Sequence, residues 1–438
     1  MKIQLMCLAV VLQDLFTATA SWLAACTHFI CRRRQLSAPA FVQTLVFRWL
    51  ANPNDTLENM AAALRLSPQA LQQHCNQNAI TFLRALIAEA LHRLHDCRLQ
   101  ARSLGLLDAF AAVVIDDTTT VSLPASLAAL FPGCGGSTPS AGAAAVKILL
   151  RYELKTGRIL CLTFHAGRTN DATLAASAQE LPADALYLAD MAFFNAARLG
   201  AFGTARSWIS RVPASTSVAI GGLWQALWRY LQRQRRSVLD VAEVLLAEAV
   251  GTACRLVALP CPPEVTRRRR QKLRHRSRRK QGREPSERCL ALCAWTVFAT
   301  NVPQQVLAAQ GVWVVYRCRW QIELLFKRAK GLTGWSVSHG RNGQRVLVEM
   351  LAKVLGLVVA HWGALLRGGP LSGVSMHKRM VKVAEYARQL GGSLKRGVPR
   401  IEEVLREVLG ELKQIRRQRP RTRKPGTRDI LLEPGLAA

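Results

Sequence analysis

Across residues 1–105 the apolar positions recur at helical spacing, and no stretch alternates as a strand would. Asn54-Asp55-Thr56 offers caps ahead of LENMAAALRL, and Ser67-Pro68 restarts a helix as PQALQQHC. The pair over 56–75 fits a helix-turn-helix that lacks the usual turn glycine, and it fits two packed bundle helices equally well. From residue 106 the texture changes. AFAAVVIDDTTT is an apolar run ending in acids and threonines, as in a buried strand that stops at a site. AVKILLRYEL and RILCLTFHAG, joined at Lys155-Thr156-Gly157, predict a hairpin. ALYLADMAFF is a second apolar run ending in an acid, and FNAARLGAFG reads as a short helix closed by glycine. Residues 207–262 hold SWISRVP, a helical LWQALWRYLQRQRR and ACRLVALP. Between Arg267 and Arg283 there are eleven Lys or Arg, the composition of a solvated, mobile loop. CLALCAWTVFATNVP then reads as a strand leading to a helix over 313–330. The last hundred residues are helical and end in a basic tail, IRRQRPRTRKPGTR, and no internal repeat is evident.

Two apolar stretches bear on membranes. MKIQLMCLAVVLQDLF imitates a secretory signal, but its apolar run stops at Gln13 and Asp14, so it is read as a helix of the first domain. The run Val354–Leu366 is bounded by Lys353 and Arg367 and interrupted by His361, too short to span a bilayer. No transmembrane segment and no membrane partner are expected.

Charge narrows the partner class. Sixty Lys and Arg face 28 Asp and Glu, a formal net charge of +32, and such a chain calls for a polyanion, nucleic acid before lipid. The apolar fraction of 50% excludes a disordered cationic tail, and 438 residues allow two or three domains. Twelve cysteines are scattered without a Cys-x2-Cys pair. Cys289-x3-Cys293, on the expected strand, has no second ligand pair at zinc spacing, so buried reduced thiols are expected.

The candidate chemistry lies in three acids. On the 313–330 helix, Tyr316, Arg319, Glu323 and Lys330 share a stripe about 60° wide, with Lys327 at its edge. A lone acid among cations suits a metal held against a phosphodiester, although an i+4 ion pair of Glu323 with Lys327 explains the same pattern. Asp117 and Asp190, taken singly, are ordinary strand-end turn formers or caps. Together the three supply the parts of a two-metal phosphoryl-transfer site, in which ions about 4 Å apart need several carboxylate oxygens.

The spacing Tyr-x2-Arg-x3-Glu-x6-Lys, matched by Tyr316, Arg319, Glu323 and Lys330, resembles the signature of the DDE transposases of the insertion-sequence-four family. Trp320 stands where that family has its usual Trp; IDDTTTVSLP resembles its first-Asp motif and ALYLADMAFFN its second, and the likeness covers most of the chain. The resemblance implies an α/β fold: a ribonuclease-H-like catalytic domain over 106–345 with a largely β insertion at about 205–300. A helical N-terminal domain over 1–105, with possible DNA-end binding, and a helical basic C-terminal region over 346–438 flank it. The gap of 133 residues from Asp190 to Glu323 (323 minus 190) is independently too long for an ordinary loop. Asp117, Asp190 and Glu323 would be the catalytic metal ligands for Mg²⁺, with Mn²⁺ able to substitute. Counting back from Leu123-Pro124 selects Asp117 over Asp116, which on a strand points to the other face. Arg319, Lys330 and Lys327 would hold phosphates, Tyr316 would hydrogen-bond one, and Trp320 would stack on a displaced base unless it is a core aromatic. His165 and Asp171 in FHAGRTND stay unassigned.

The expected activity is binding terminal inverted repeats of double-stranded DNA, cutting, and joining 3′-hydroxyls to target DNA. A homodimer would pair the two ends, in the bacterial cytoplasm at the nucleoid. Met191-Ala192 depart from the Arg-Gly that follows the second Asp in many relatives, removing a cation beside the metal. Two other classes remain open: a transposase-derived DNA-binding protein that no longer cuts, and a two-metal nuclease that cuts without joining.

Overall fold

The computed structural model describes residues 2–30, 36–93, 103–134, 143–338, 340, 342–416 and 426–433. Its elements begin with α1 (Lys2–Asp14), α2 (Ala20–Cys26), α3 (Ala38–Ala51), α4 (Leu57–Leu64), α5 (Pro68–Gln73) and α6 (Gln77–Arg93). β1 (Ala112–Ser122), β2 (Ala145–Glu153), β3 (Ile159–Ala166), α7 (Asp171–Leu174), β4 (Ala185–Ala189), α8 (Ala196–Gly200) and β5 (Ser207–Arg211) follow. Next come β6 (Ser217–Ile220), β7 (Leu223–Ala226), α9 (Leu227–Arg233), β8 (Leu239–Leu246), β9 (Thr252–Pro260), α10 (Pro263–Gln281), α11 (Glu287–Leu292) and β10 (Trp295–Thr300). The remainder is helical: α12 (Ala309–Arg317), α13 (Trp320–Thr333), α14 (Gly343–Leu365), α15 (Met376–Glu385), α16 (Ala387–Ser393), α17 (Val398–Gln414) and α18 (Thr427–Leu432). The protein is thus mixed α/β with a large sheet. Most of the basic tail expected at the C-terminal end lies outside the described residues.

Two compact units divide the chain, each drawn from three separate stretches. The first takes Met1–Arg102, Asp117–Thr169 and Gln321–Pro420. Its centre is α14, which is apolar on every face and buried throughout from Val346 to Leu365, as an all-round apolar helix must be. Helices α3, α6 and α15 pack around it. The sequence reading ended this apolar run at Lys353; instead the helix continues through it. Lys353 Nζ donates to Glu349 Oε1 at 2.7 Å and to the Val337 carbonyl at 3.1 Å, and the pair is 1% and 3% exposed. Paired in this way, the charge no longer stops burial. By length and composition two helical stretches, Gln4–Cys26 and Gly343–Leu365, are apolar enough to cross a membrane; the second is entirely buried within this unit.

The capped helices read at 56–75 are present as α4 and α5. Thr56 accepts from Asn59 N at 3.2 Å and Ser67 from Ala70 N at 3.1 Å. Where a helix-turn-helix normally places glycine, Arg65 itself adopts the left-handed conformation, with φ 56°. The β2–β3 hairpin is antiparallel, and its turn is held by Glu153, which accepts from the amides of Lys155 and Thr156. Gly157 closes the turn at φ 85°, where a Cβ would lie 2.7 Å from Leu365.

The second unit takes Ser103–Asp116, Asn170–Trp320 and Arg421–Ala438. Its strand order is β1-β4-β5-β10-β9-β8-β6-β7. β4 runs parallel to both β1 and β5, and β10 runs antiparallel to β5 and to β9. Between β5 and β10 the chain inserts four strands and three helices, and β9 continues the sheet beyond β10. Three sequence expectations need correction here. LWQALWRYLQRQRR is helical only from Leu227, because Gly221 and Gly222, both at positive φ, turn the chain so that Leu223–Ala226 pairs with β6. The expected strand around Cys289 and Cys293 is helix α11, opened by Ser286-Glu287, and the strand begins only at Trp295.

The third correction concerns the arginine run, which is helix α10. Pro263 sits in its first turn, and Gly282 closes it at φ 63°. The cysteines differ as well. Cys75, Cys254, Cys261 and Cys318 are buried, but Cys26 and Cys134 are exposed, and all ten described thiols are free.

Candidate active site

Asp190 is the first residue beyond β4, whose five residues ALYLA are all buried between β1 and β5. A short turn, Met191–Phe193, begins there, but the Asp190 side chain does not cap it. The carboxylate therefore stays available, with 34% of its side chain exposed. Tyr316 Oη donates to Asp190 Oδ1 and to the Ala189 carbonyl, each at 3.3 Å. Its ring rests 4.8 Å from that of Phe298. Burial, reinforced by the Asp190 charge, raises the Tyr316 hydroxyl far above the ordinary phenol value, so it remains a donor. Arg319 Nε lies 4.0 Å from Asp190 Oδ1, its side chain only 14% exposed. One carboxylate thus has a neutral donor and a cation turned toward it.

Asp116 and Asp117 part company at a strand alternation. Asp116 is fully buried and accepts from Ala176 N and from Tyr187 Oη, both at 3.0 Å. It ties the 176 segment to β4. Asp117 is half-buried, and its Oδ1 accepts from the amide of Thr118 at 2.9 Å. Tyr187 was missed from the sequence, although a tyrosine inside an apolar strand implies a buried partner for its hydroxyl.

The signature does not lie on one uninterrupted helix. α12 ends at Arg317 and α13 starts at Trp320. The amides of Cys318 and Arg319 reach back only three residues, to Val315 and Tyr316, at 3.0 Å each. That tightened turn breaks the 100° progression on which the single-stripe expectation rests. Tyr316 and Arg319 consequently face Asp190, each within the second unit. On α13, Gln321, Ile322, Leu325, Phe326, Ala329 and Thr333 form the buried side. Glu323 is half-buried on the other side, with Lys327 and Lys330 exposed beside it. Trp320 is 55% exposed, so the core-aromatic alternative fails. Of the two unassigned polar residues, His165 contacts Thr163 Oγ1 at 2.8 Å, with burial and then Arg84 and Lys147 lowering its pKa; Asp171 opens α7.

The donors fit a hard divalent cation in type, since carboxylate oxygens are what Mg²⁺ takes. Among the described residues, however, no three His, Cys, Asp or Glu side chains group closely enough to hold one.

Against this geometry, the sequence pattern of the family described as Transposase DDE domain matches residues 109–359. The chain belongs to the DDE transposase family. Among similar proteins, the transposase for insertion sequence element IS231C of Bacillus thuringiensis subsp. berliner is 23% identical over 92% of this chain and 90% of its own length. The transposase for IS1151 of Clostridium perfringens is 23% identical over 89% of this chain and 88% of its own. The putative transposase InsL for IS186A of Escherichia coli K12 reaches 38% identity, over 78 residues. The family match spans Asp117, Asp190 and Glu323 alike, and the long alignments run through both units of this transposase-family chain.

Proposed function

We propose that the chain is the transposase of a bacterial insertion sequence of the insertion-sequence-four type, built on a ribonuclease-H-like catalytic fold. It binds the terminal inverted repeats of double-stranded DNA, cuts at them, and joins the 3′-hydroxyls to target DNA as a homodimer acting at the nucleoid. The observation that carries this reading is Asp190, placed at the end of a buried parallel strand with Tyr316 and Arg319 on it, in a chain matched by the transposase family. Residues 1–105, with α4 and α5, are the proposed end-reading domain.

Asp117, Asp190 and Glu323 are the proposed carboxylate ligands of Mg²⁺, for which Mn²⁺ can substitute. When bound, the metal activates the attacking oxygen and neutralises charge on the leaving one. The chain's own residues do the rest. Tyr316 fixes the Asp190 carboxylate by donating to Oδ1, and the high pKa of its hydroxyl keeps that donor in place across the working pH range. Arg319 offers a planar fork for a phosphate beside Asp190. Lys327 and Lys330 add exposed point charges on α13, and Trp320 presents a free aromatic face on which a displaced base stacks.

Glu323→Gln tests the reading. The amide keeps the shape and removes one negative charge, so metal-dependent cutting of end DNA should fall at least ~100-fold, as for loss of a principal electrostatic group. Gel-shift affinity for the same DNA should stay within a few-fold. Equal loss of cutting and binding would assign Glu323 to folding instead, and unchanged cutting would remove it from the catalytic set.

A further inference from the structure

Helix α10 has two faces with different fates. Thr266 and Ser277 are buried, and Ser277 Oγ donates to the Arg283 carbonyl at 2.7 Å. Arg269 donates to Cys261 Sγ at 2.8 Å, the Trp295 carbonyl at 3.1 Å and Thr296 Oγ1 at 3.1 Å. Arg270 Nε reaches the Leu290 carbonyl at 3.1 Å. Two arginines of the run, both half-buried, therefore pin the helix to β10 and α11. Next to this anchored face, Arg267, Gln271, Arg274 and Arg278 fall at offsets of four, seven and eleven, a stripe about 60° wide and roughly 16 Å long. These four, with Arg236, Arg270 and His275, line an open cleft of about 1060 Å³.

A carboxylate already approaches two of these arginines. Glu284 Oε1 is 2.5 Å from Arg278 Nε, and its Oε2 is 3.8 Å from Arg274 Nε. Guanidinium forks donate to carboxylate and phosphate oxygens with the same geometry. All three side chains are at least half exposed, so the bond is a weak one that a polyanion displaces at little cost. Glu284 lies just beyond the helix; on α10 itself the acid is Glu264, in the first turn, away from the Arg274–Arg278 end.

We infer that this cleft seats one sugar-phosphate strand of duplex DNA, and that Glu284 occupies a phosphate position until DNA replaces it. The inference rests on the DNA-processing reading above and extends it to a site on the inserted segment. Length favours a polymer: a straight stripe of about 16 Å faces roughly three successive phosphates of one strand, one for each of Arg267, Arg274 and Arg278. The lining disfavours a lipid surface, because apart from Pro263 it offers cationic and polar side chains only, with nothing apolar to insert.

The test uses the full-length protein and fluorescence anisotropy on cognate-end and scrambled duplexes across a salt series. Replacing Arg267, Arg274 and Arg278 together with Gln should weaken both duplexes equally. It should flatten the slope of log K against log salt by about 2.7, from 0.9 per lost phosphate contact. Glu284→Gln should act in the opposite direction, tightening both duplexes about threefold or more at low salt. That gain guards against a misfolded triple variant, since a damaged protein does not bind better. If the wild type binds and cuts DNA while neither substitution shifts affinity or slope, the cleft assignment is overturned and the transposase reading stands. If both shifts appear but no duplex is cut with Mg²⁺ or Mn²⁺, the transposase reading fails and the cleft remains a DNA seat.

Discussion

Asp116 and Asp117 are adjacent on β1, and their surroundings predict opposite responses to the same substitution. Asp116 accepts two buried hydrogen bonds through one oxygen, so Asp116→Asn replaces a buried charged acceptor with an amide that must keep its oxygen toward Ala176 and Tyr187. Urea unfolding should show a loss of about 1–3 kcal/mol, the range for a disturbed buried polar group. Asp117→Asn, half-buried in the middle of β1, should leave the unfolding midpoint nearly unchanged and abolish cutting. A stable Asp117→Asn protein that still cuts would reverse the assignment. His361 carries a prediction about acid. It is fully buried, and its Nε2 meets the Gly157 carbonyl at 2.6 Å, which requires the proton on Nε2. Burial pulls its pKa down to about 4, against the weaker upward pull of that carbonyl. An unfolded histidine titrates near 6.5, so between those values the unfolded chain binds a proton that the folded chain refuses. Stability should therefore be intact above pH ~6.5 and fall as pH drops toward 4, by up to about 3 kcal/mol. His361→Gln, which retains an N–H for Gly157, should flatten that part of the pH–stability curve, and an unchanged curve would clear His361 of the role.

At the scale of elements, α14 shows how one ion pair decides the length of a helix. Glu349→Ala strands the Lys353 ammonium in the core and should cost about 3–5 kcal/mol, the range for breaking a buried pair. Adding Lys353→Met should recover most of that loss, which thermal or urea melts can measure; a double variant no better than the single would show that the pair does not govern the helix. The apolar β1, β4 and β2–β3 strands were legible in sequence because runs such as AVVI and ALYLA, or a hairpin around Lys155-Thr156-Gly157, have few other uses. Elsewhere the local pattern misled. The arginine run has the composition of a mobile loop, and only its Pro263 and Gly282 boundaries and the inward bonds of Arg269 and Arg270 make it a helix. The tightened turn at Cys318–Arg319 left no trace in residue spacing, although it decides which signature residues meet Asp190.

For the molecule as a whole, a net charge of +32 is a standing repulsion that only counter-ions or a polyanion relieve. A short duplex or heparin that binds the folded chain preferentially should raise the thermal midpoint, with the gain fading as salt increases. A midpoint indifferent to both would mean that the charges are already compensated locally. The assembly of two units from three segments each was not readable from hydrophobic periodicity, which reports neighbours in sequence and not in space. The strand that delivers Asp190 was legible because ALYLA is a local apolar run, whereas the approach of Tyr316 and Arg319 to that carboxylate is a tertiary contact that residue spacing does not report.

The packing of α1 against α17 has a bearing on synthesis. α1 ends at Asp14 and α17 begins at Val398. At ~5–20 residues per second, the ribosome takes on the order of 20–80 s to deliver the second after the first. Throughout that interval the apolar side of α1 lacks its native cover and depends on chaperones or transient contacts. A message broken or arrested before codon 398 yields a product that lacks the α17 surface on which α1 packs. Intact translation thus becomes a precondition for a closed first unit.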